Sequence, residues 1–208
     1  MKSKWVISTL KLLFSIGFYL MVVVTVCFLV GSVVNMMEKD KPAPVNITGG
    51  LTYEVLAFDK AKQSSQIAYS PDSSFQYQPS PGKYQLEATR GTALGHYTVF
   101  YKFIQLLFAT MIFWIFRRVF KEIKPDNPFK LNLVKYLKIL AALFITSDLI
   151  RIPHYIIFNR FVHRSLPAPR FELLIEIGNG IIIGLIVWVV AIIYQRGVAL
   201  QTENDLTV

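Results

Sequence analysis

The sequence predicts a membrane protein of the all-α class, with four transmembrane helices and a small extracytoplasmic β insert between the first and second. Three observations carry that reading. Of the 208 residues, 53% are hydrophobic and the mean hydropathy is +0.45, which is more apolar than soluble domains of this length. Four apolar runs approach or exceed the roughly 20 residues that cross a bilayer. The net charge of +9 is concentrated in short segments beside those runs, as the positive-inside rule describes.

Residues 1–37 form the N-terminus and the first span. Lys2, Lys4 and Lys11 precede an apolar run from Leu12 to about Val34. That run is too long for a signal-peptide core, and Asn35-Met36-Met37-Glu38 offers no small-x-small cleavage site. An uncleaved helix is expected. Cys27, the single cysteine, lies inside the run, so no intrachain disulfide can form.

Residues 38–97 form the extracytoplasmic segment. A linker rich in charge and proline opens it, Glu38 to Pro44. Leu51–Phe58, Ser74–Gln78 and Lys83–Thr89 mix β-favouring residues with partial alternation, and Pro71-Asp72, Pro79 to Gly82 and Arg90-Gly91 separate them. An antiparallel sheet of three or four strands is predicted. A segment this short buries little core, so the sheet is expected to lean on helix ends or on a second chain. Asn46-Ile47-Thr48 fits a glycosylation sequon, a pattern common by chance.

Residues 98–118 form the second span, with Lys102 near its outer end, where a long side chain can snorkel. The loop of residues 119–136 is basic. Together with its flanks it carries Arg117, Arg118, Lys121, Lys124, Lys130, Lys135 and Lys138. Asn127-Pro128-Phe129 reads as part of a turn, followed by Leu131, Val134 and Leu137 at helical spacing. This amphipathic stretch suits either a surface held by anionic lipid or a docking surface for a cytoplasmic partner. The third span is residues 137–158, the outer loop 159–171 with Arg160, Arg164 and Arg170, the fourth span 172–195, and the tail 196–208. Gly197 is a plausible terminator of the last helix. The short basic loop and the N-terminal lysines place both termini in the cytoplasm.

The chemistry-bearing residues are few. His96, His154 and His163 have no ligand-pair spacing, and one cysteine cannot complete a metal site. No phosphate loop, nucleophile elbow or other catalytic constellation is present, so no enzyme, cofactor or metal is expected. Gly178-Asn179-Gly180 and Gly184 read as close helix packing.

The sharpest signal is an intramembrane polar seam. Asp148, Arg151 and His154 follow one another at intervals of three on the third span, beside Pro153. Glu172, Glu176 and Asn179 are read as one face of the fourth. Charges at that depth are costly unless paired, and they often mark function. The seam suits either an interhelical ion pair that docks spans three and four or an ion or ligand path.

Three features together resemble the YoaS-like family of small bacterial membrane proteins, a domain of unknown function. They are Asn127-Pro128-Phe129 before the third span, the four-span layout, and the closing run Arg196-Gly197-x-x-Leu200-x-x-Glu203-Asn204-Asp205-Leu206-Thr207-Val208. The resemblance implies a bacterial inner-membrane location and no catalytic residues. It also implies a genetic neighbourhood shared with small helix-turn-helix transcription regulators. The expectation is a non-enzymatic regulator or sensor that engages such a partner through Asn127, Pro128, Phe129, Arg196, Gly197, Glu203, Asp205 and Leu206. No direct nucleic-acid contact is expected, and a homo-oligomer is left open. The alternative is a small transporter, channel or immunity-type protein built on the seam, and a third class is a structural subunit of a membrane complex.

Overall fold

The computed structural model describes residues 2–37, 52–57, 68–71, 75–80, 83–88, 92–123, 130–166, 171–175 and 177–207. Among these residues five helices dominate: α1 (Lys2–Met37), α2 (Ala93–Glu122), α3 (Leu131–Leu149), α4 (Arg151–Ser165) and α5 (Asn179–Thr207). Five strands among the described residues accompany them: β1 (Thr52–Ala57), β2 (Ala68–Tyr69), β3 (Phe75–Ser80), β4 (Lys83–Ala88) and β5 (Phe171–Leu173). Among the described residues three helical stretches are long and apolar enough to cross a membrane: Trp5–Val34, Ala93–Glu122 and Asn179–Asn204. A helix satisfies its own backbone groups, which is what an apolar run in lipid requires.

The chain forms two compact units. The first contains Met1–Thr25, Gln105–Ile150 and Ile177–Val208. Its core gathers Ile115 and Val119 of α2 with Leu133 and Leu140 of α3, and Phe116, Phe144 and Val187 pack around them. Aromatic rings join α1 to α2: Phe14 stacks on Phe116 and Phe120 at 4.6 and 4.9 Å. Thr25 and Thr110 bring their hydroxyl oxygens within 3.2 Å, and each also bonds a carbonyl one turn back.

Glycines set the approach of α3 and α5. A Cβ at Gly180 would lie 2.8 Å from the Phe144 carbonyl oxygen, and one at Gly184 would lie 2.8 Å from that of Ala141. Those distances are shorter than van der Waals contact, so only glycine allows the two backbones this close. The close packing predicted for Gly180 and Gly184 is present, whereas a Cβ at Gly178, predicted with them, would meet nothing within 4 Å.

The second unit contains Val26–Ile104 and Arg151–Glu176. Its sheet has the order β2-β3-β4-β1-β5, with every neighbouring pair antiparallel. Three of the strands coincide closely with the predicted ones. β5 was not expected: it comes from beyond α4 and pairs Val55↔Leu173 and Ala57↔Phe171. The alternation is clear where both faces are described. Val55 and Leu86 are buried while Glu54 and Gln85 are exposed. The buried face joins Val55, Leu86, Phe171 and Leu173 to Phe158, Val162 and Leu166 from the α4 region and to Leu94 from α2. Asn159 locks β5 in place, because its Oδ1 accepts from the Leu173 amide at 2.9 Å. The His163 Nε2–H donates to the Phe171 carbonyl at 3.0 Å.

Three boundaries differ from those predicted. Residues 137–158 are not one helical ladder: α3 begins at Leu131 and the ladder is interrupted at Ile150. Pro153 is the cause, since it has no N–H to give Leu149 and its ring crowds that carbonyl. Helix α5 begins at Asn179, because Phe171–Leu173 are taken up by the sheet. It then continues through Gly197 to Thr207. A helix-interior glycine costs only about 1 kcal/mol, too little to stop a helix with strong formers on both sides. The predicted amphipathic start of α3 holds in part: Val134 is buried, while Leu131 is 71% exposed.

Candidate functional site

The predicted seam divides into two local arrangements. The first is built by Asp148, which is 1% exposed. Helix α5 opens without a capping side chain of its own. Its first i→i−4 bond runs from the Ile182 amide to the Gly178 carbonyl at 2.8 Å, which puts Gly178 at the position where Ser, Thr, Asp or Asn usually caps. Gly178 has φ +118°, a backbone region that L side chains rarely adopt, so glycine is required there and a cap must come from elsewhere. Asp148 supplies it from α3. Its Oδ2 accepts from the amides of Gly178, Gly180 and Ile181 at 2.7, 3.1 and 3.2 Å. A carboxylate at a helix N-terminus also complements the positive end of the helix dipole. The chemistry of this arrangement is structural: one side chain fixes where α5 starts.

The second arrangement surrounds His154 on α4, a helix outside the three stretches long and apolar enough to cross a membrane. The buried imidazole stacks on the Tyr101 ring with centroids 3.5 Å apart and planes 5° from parallel. Tyr97, one helical turn before Tyr101, shares a 3.0 Å hydrogen bond with His154 Nδ1. Tyr53 of β1 and Phe158 close the cluster, with centroids 5.8 Å from the imidazole in both cases. Burial drives the His154 pKa down from 6.5 to about 4, because the low-dielectric surroundings penalise the imidazolium. Burial also pushes the Tyr53 phenol well above its ordinary value, and the neighbouring Tyr101 and Tyr97 add to the rise. His154 is therefore a neutral ring in an aromatic cluster.

A pH response follows. The unfolded chain takes up a proton near the ordinary imidazole value of about 6.5, whereas the folded chain holds His154 neutral to about 4. Acidification through that window favours the unfolded form, so stability present above about pH 6.5 is lost as the pH falls. Thermal unfolding in detergent from about pH 7.5 to about pH 4.5 should show a steeper loss for the wild type than for His154→Phe, which keeps a flat ring but cannot titrate. Parallel curves would show that His154 does not hold this linkage.

The remaining predicted residues fall as follows. Arg151 begins α4 and is half-buried. Glu172 lies in β5, where its Oε2 accepts from the Tyr155 hydroxyl at 3.1 Å. It does not share a helix face with Asn179, which is exposed at the start of α5. Glu176, Asn127, Pro128 and Phe129 lie outside the described residues, as does the sequon at Asn46. Arg196, Gly197, Glu203, Asp205 and Leu206 all belong to α5.

Sequence reasoning did not single out Tyr53, Tyr97 and Tyr101. The four-residue spacing of Tyr97 and Tyr101 puts them on one helix face, but nothing local pairs that face with a histidine more than fifty residues away.

No curated protein and no solved structure matches the chain. A family profile does match, over residues 55–208, a stretch that contains Asp148, His154 and the whole of α5. The chain belongs to the family described as Protein of unknown function (DUF2975).

Proposed function

We propose that the protein is a non-enzymatic regulator or sensor of the bacterial inner membrane that engages a cytoplasmic partner. The observation that carries the reading is the continuity of α5. Its 29 residues run from the Asp148 cap to Thr207, a rise of about 43 Å at 1.5 Å per residue. The hydrocarbon core needs about 30 Å, which leaves the last turns, with Glu203 and Asp205, to project as a helical handle. The resemblance to YoaS-like proteins supplies the kind of partner, a small helix-turn-helix regulator.

In this reading four helices cross the membrane: α1, α2, α3 and α5. The 19 residues of α3 rise about 28 Å, close to the core thickness. Helix α4, with Arg151, Arg160 and Arg164, stays with the sheet on the extracytoplasmic side. The short basic loop and the N-terminal lysines support cytoplasmic termini. The rival reading, a transporter, channel or immunity-type protein, draws on Arg151 and Glu176 together with Asp148. The three amide hydrogen bonds to its Oδ2 favour a docking role instead.

The test is co-purification from the native membrane after mild detergent extraction. The intact chain is expected to bring down a helix-turn-helix protein. That capture should be lost when Thr202–Val208 is deleted and Asn127, Pro128 and Phe129 are replaced by alanine. Equal capture by the altered chain, or none by the intact one, would sink the proposal.

A further inference from the structure

The C-terminal end of α2 carries a feature that partner binding does not use. Trp114, Arg117, Arg118 and Lys121 fall at intervals of three and four, hence on one helix face. They line an open recess. Among the described residues no carboxylate lines it, and the nearby ion pair is between Lys130 and Glu122 at 3.7 Å.

Arg117 is held rather than free to roam. Its guanidinium lies over the rings of Phe18 and Tyr19 at 5.5 and 5.0 Å, and its Nη2 donates to the Tyr19 hydroxyl at 3.1 Å. Its Nε is buried and has no hydrogen-bond partner among the described residues. Arg118 lies over the Trp114 ring at 5.2 Å. A buried guanidinium donor without an acceptor is costly, and Arg is the side chain best shaped for phosphate oxygens. Trp at a span end marks the headgroup level.

We propose that this recess binds the phosphate of an anionic phospholipid, with Arg117, Arg118 and Lys121 as its cationic ligands and Trp114 against the glycerol region. The recess sits at the end of a membrane-crossing stretch, where phosphates are concentrated and apolar tails can lie along the helix. The simpler role of such cations, complementing the negative end of the α2 dipole, does not account for a guanidinium turned onto the rings of α1. The inference rests on α2 crossing the membrane and not on partner capture, so the two can fail separately.

Native mass spectrometry of the detergent-purified full chain tests it, with phosphatidylglycerol, phosphatidylcholine or inorganic phosphate added. Retention of phosphatidylglycerol over phosphatidylcholine is expected. Arg118→Gln with Lys121→Gln, both exposed positions, should weaken that retention about tenfold with an unchanged circular dichroism spectrum. Arg117→Lys should weaken it too, although the charge is kept, because an ammonium cannot reproduce the planar fork. Three results would overturn the proposal: equal retention of the two lipids, unchanged retention in the double variant, or full displacement of the lipid by millimolar inorganic phosphate.

Discussion

Gly184→Leu should unfold in detergent at a markedly lower temperature than the wild type, with a loss of about 3 kcal/mol. A Cβ at this position already meets the Ala141 carbonyl oxygen at 2.8 Å and Ile145 Cγ1 at 2.6 Å. The isoleucine can change rotamer, but the carbonyl belongs to the α3 backbone and moves only if the helix moves. Separating α3 from α5 then opens the core around Leu140, Phe144 and Val187. The effect should be graded, with Gly184→Ala milder than Gly184→Leu. Gly180→Ala should resemble Gly184→Ala, because the Phe144 carbonyl stands 2.8 Å from its Cβ position. Gly197→Ala is the control. It lies within α5, where alanine gains about 0.5–1 kcal/mol over glycine. A wild-type midpoint for Gly184→Leu would show that α3 and α5 do not pack as described.

Asp148→Ala is expected to cost about 2–4 kcal/mol, combining the loss of a helix cap with charge-assisted hydrogen bonds to three amides. The site is buried, so water does not readily replace the carboxylate. Asp148→Asn keeps an acceptor oxygen and most of the shape, and it should cost less. The diagnostic readout is local. Amide hydrogen exchange of Gly180 and Ile181 should speed up in Asp148→Ala, while amides near the middle of α5, such as Val189, keep their protection. If the exchange of Gly180 and Ile181 were unchanged, the cap would not be the role of Asp148.

These two residues also show what was legible before the fold was known. The apolar runs, the turn signals around the strands and the paired glycines are local patterns, and local hydrogen bonding and packing obey them. Gly180 and Gly184 could be read as a close-packing face without knowing which helix they meet. Asp148 stands out in the sequence as a charge in an apolar run, but its partners do not, because backbone amides leave no mark in a sequence. Glu172 misled for a related reason. A short strand of Phe, Glu and Leu beside an apolar run looks like the first turn of a helix, and only pairing with β1 makes it a strand. The Tyr97, Tyr101 and His154 stack is equally non-local. Gly197 shows the reverse error, where a residue-level preference of about 1 kcal/mol was set against the cooperativity of a long helix and lost.

The placement of β5 has a consequence for the order in which the molecule can be made. Strand β1 is flanked by β4 and β5. On the β4 side Val55 pairs with Tyr84, which is translated soon after it. On the β5 side its partner is Leu173, which arrives more than one hundred residues later. During synthesis the β1 edge of the nascent sheet therefore stays bare while α2, α3 and α4 emerge. An open edge is a template for pairing with other chains. Completion of the sheet is thus a late checkpoint, and a chain that stalls before Phe171 carries an adhesive strand that the finished protein conceals.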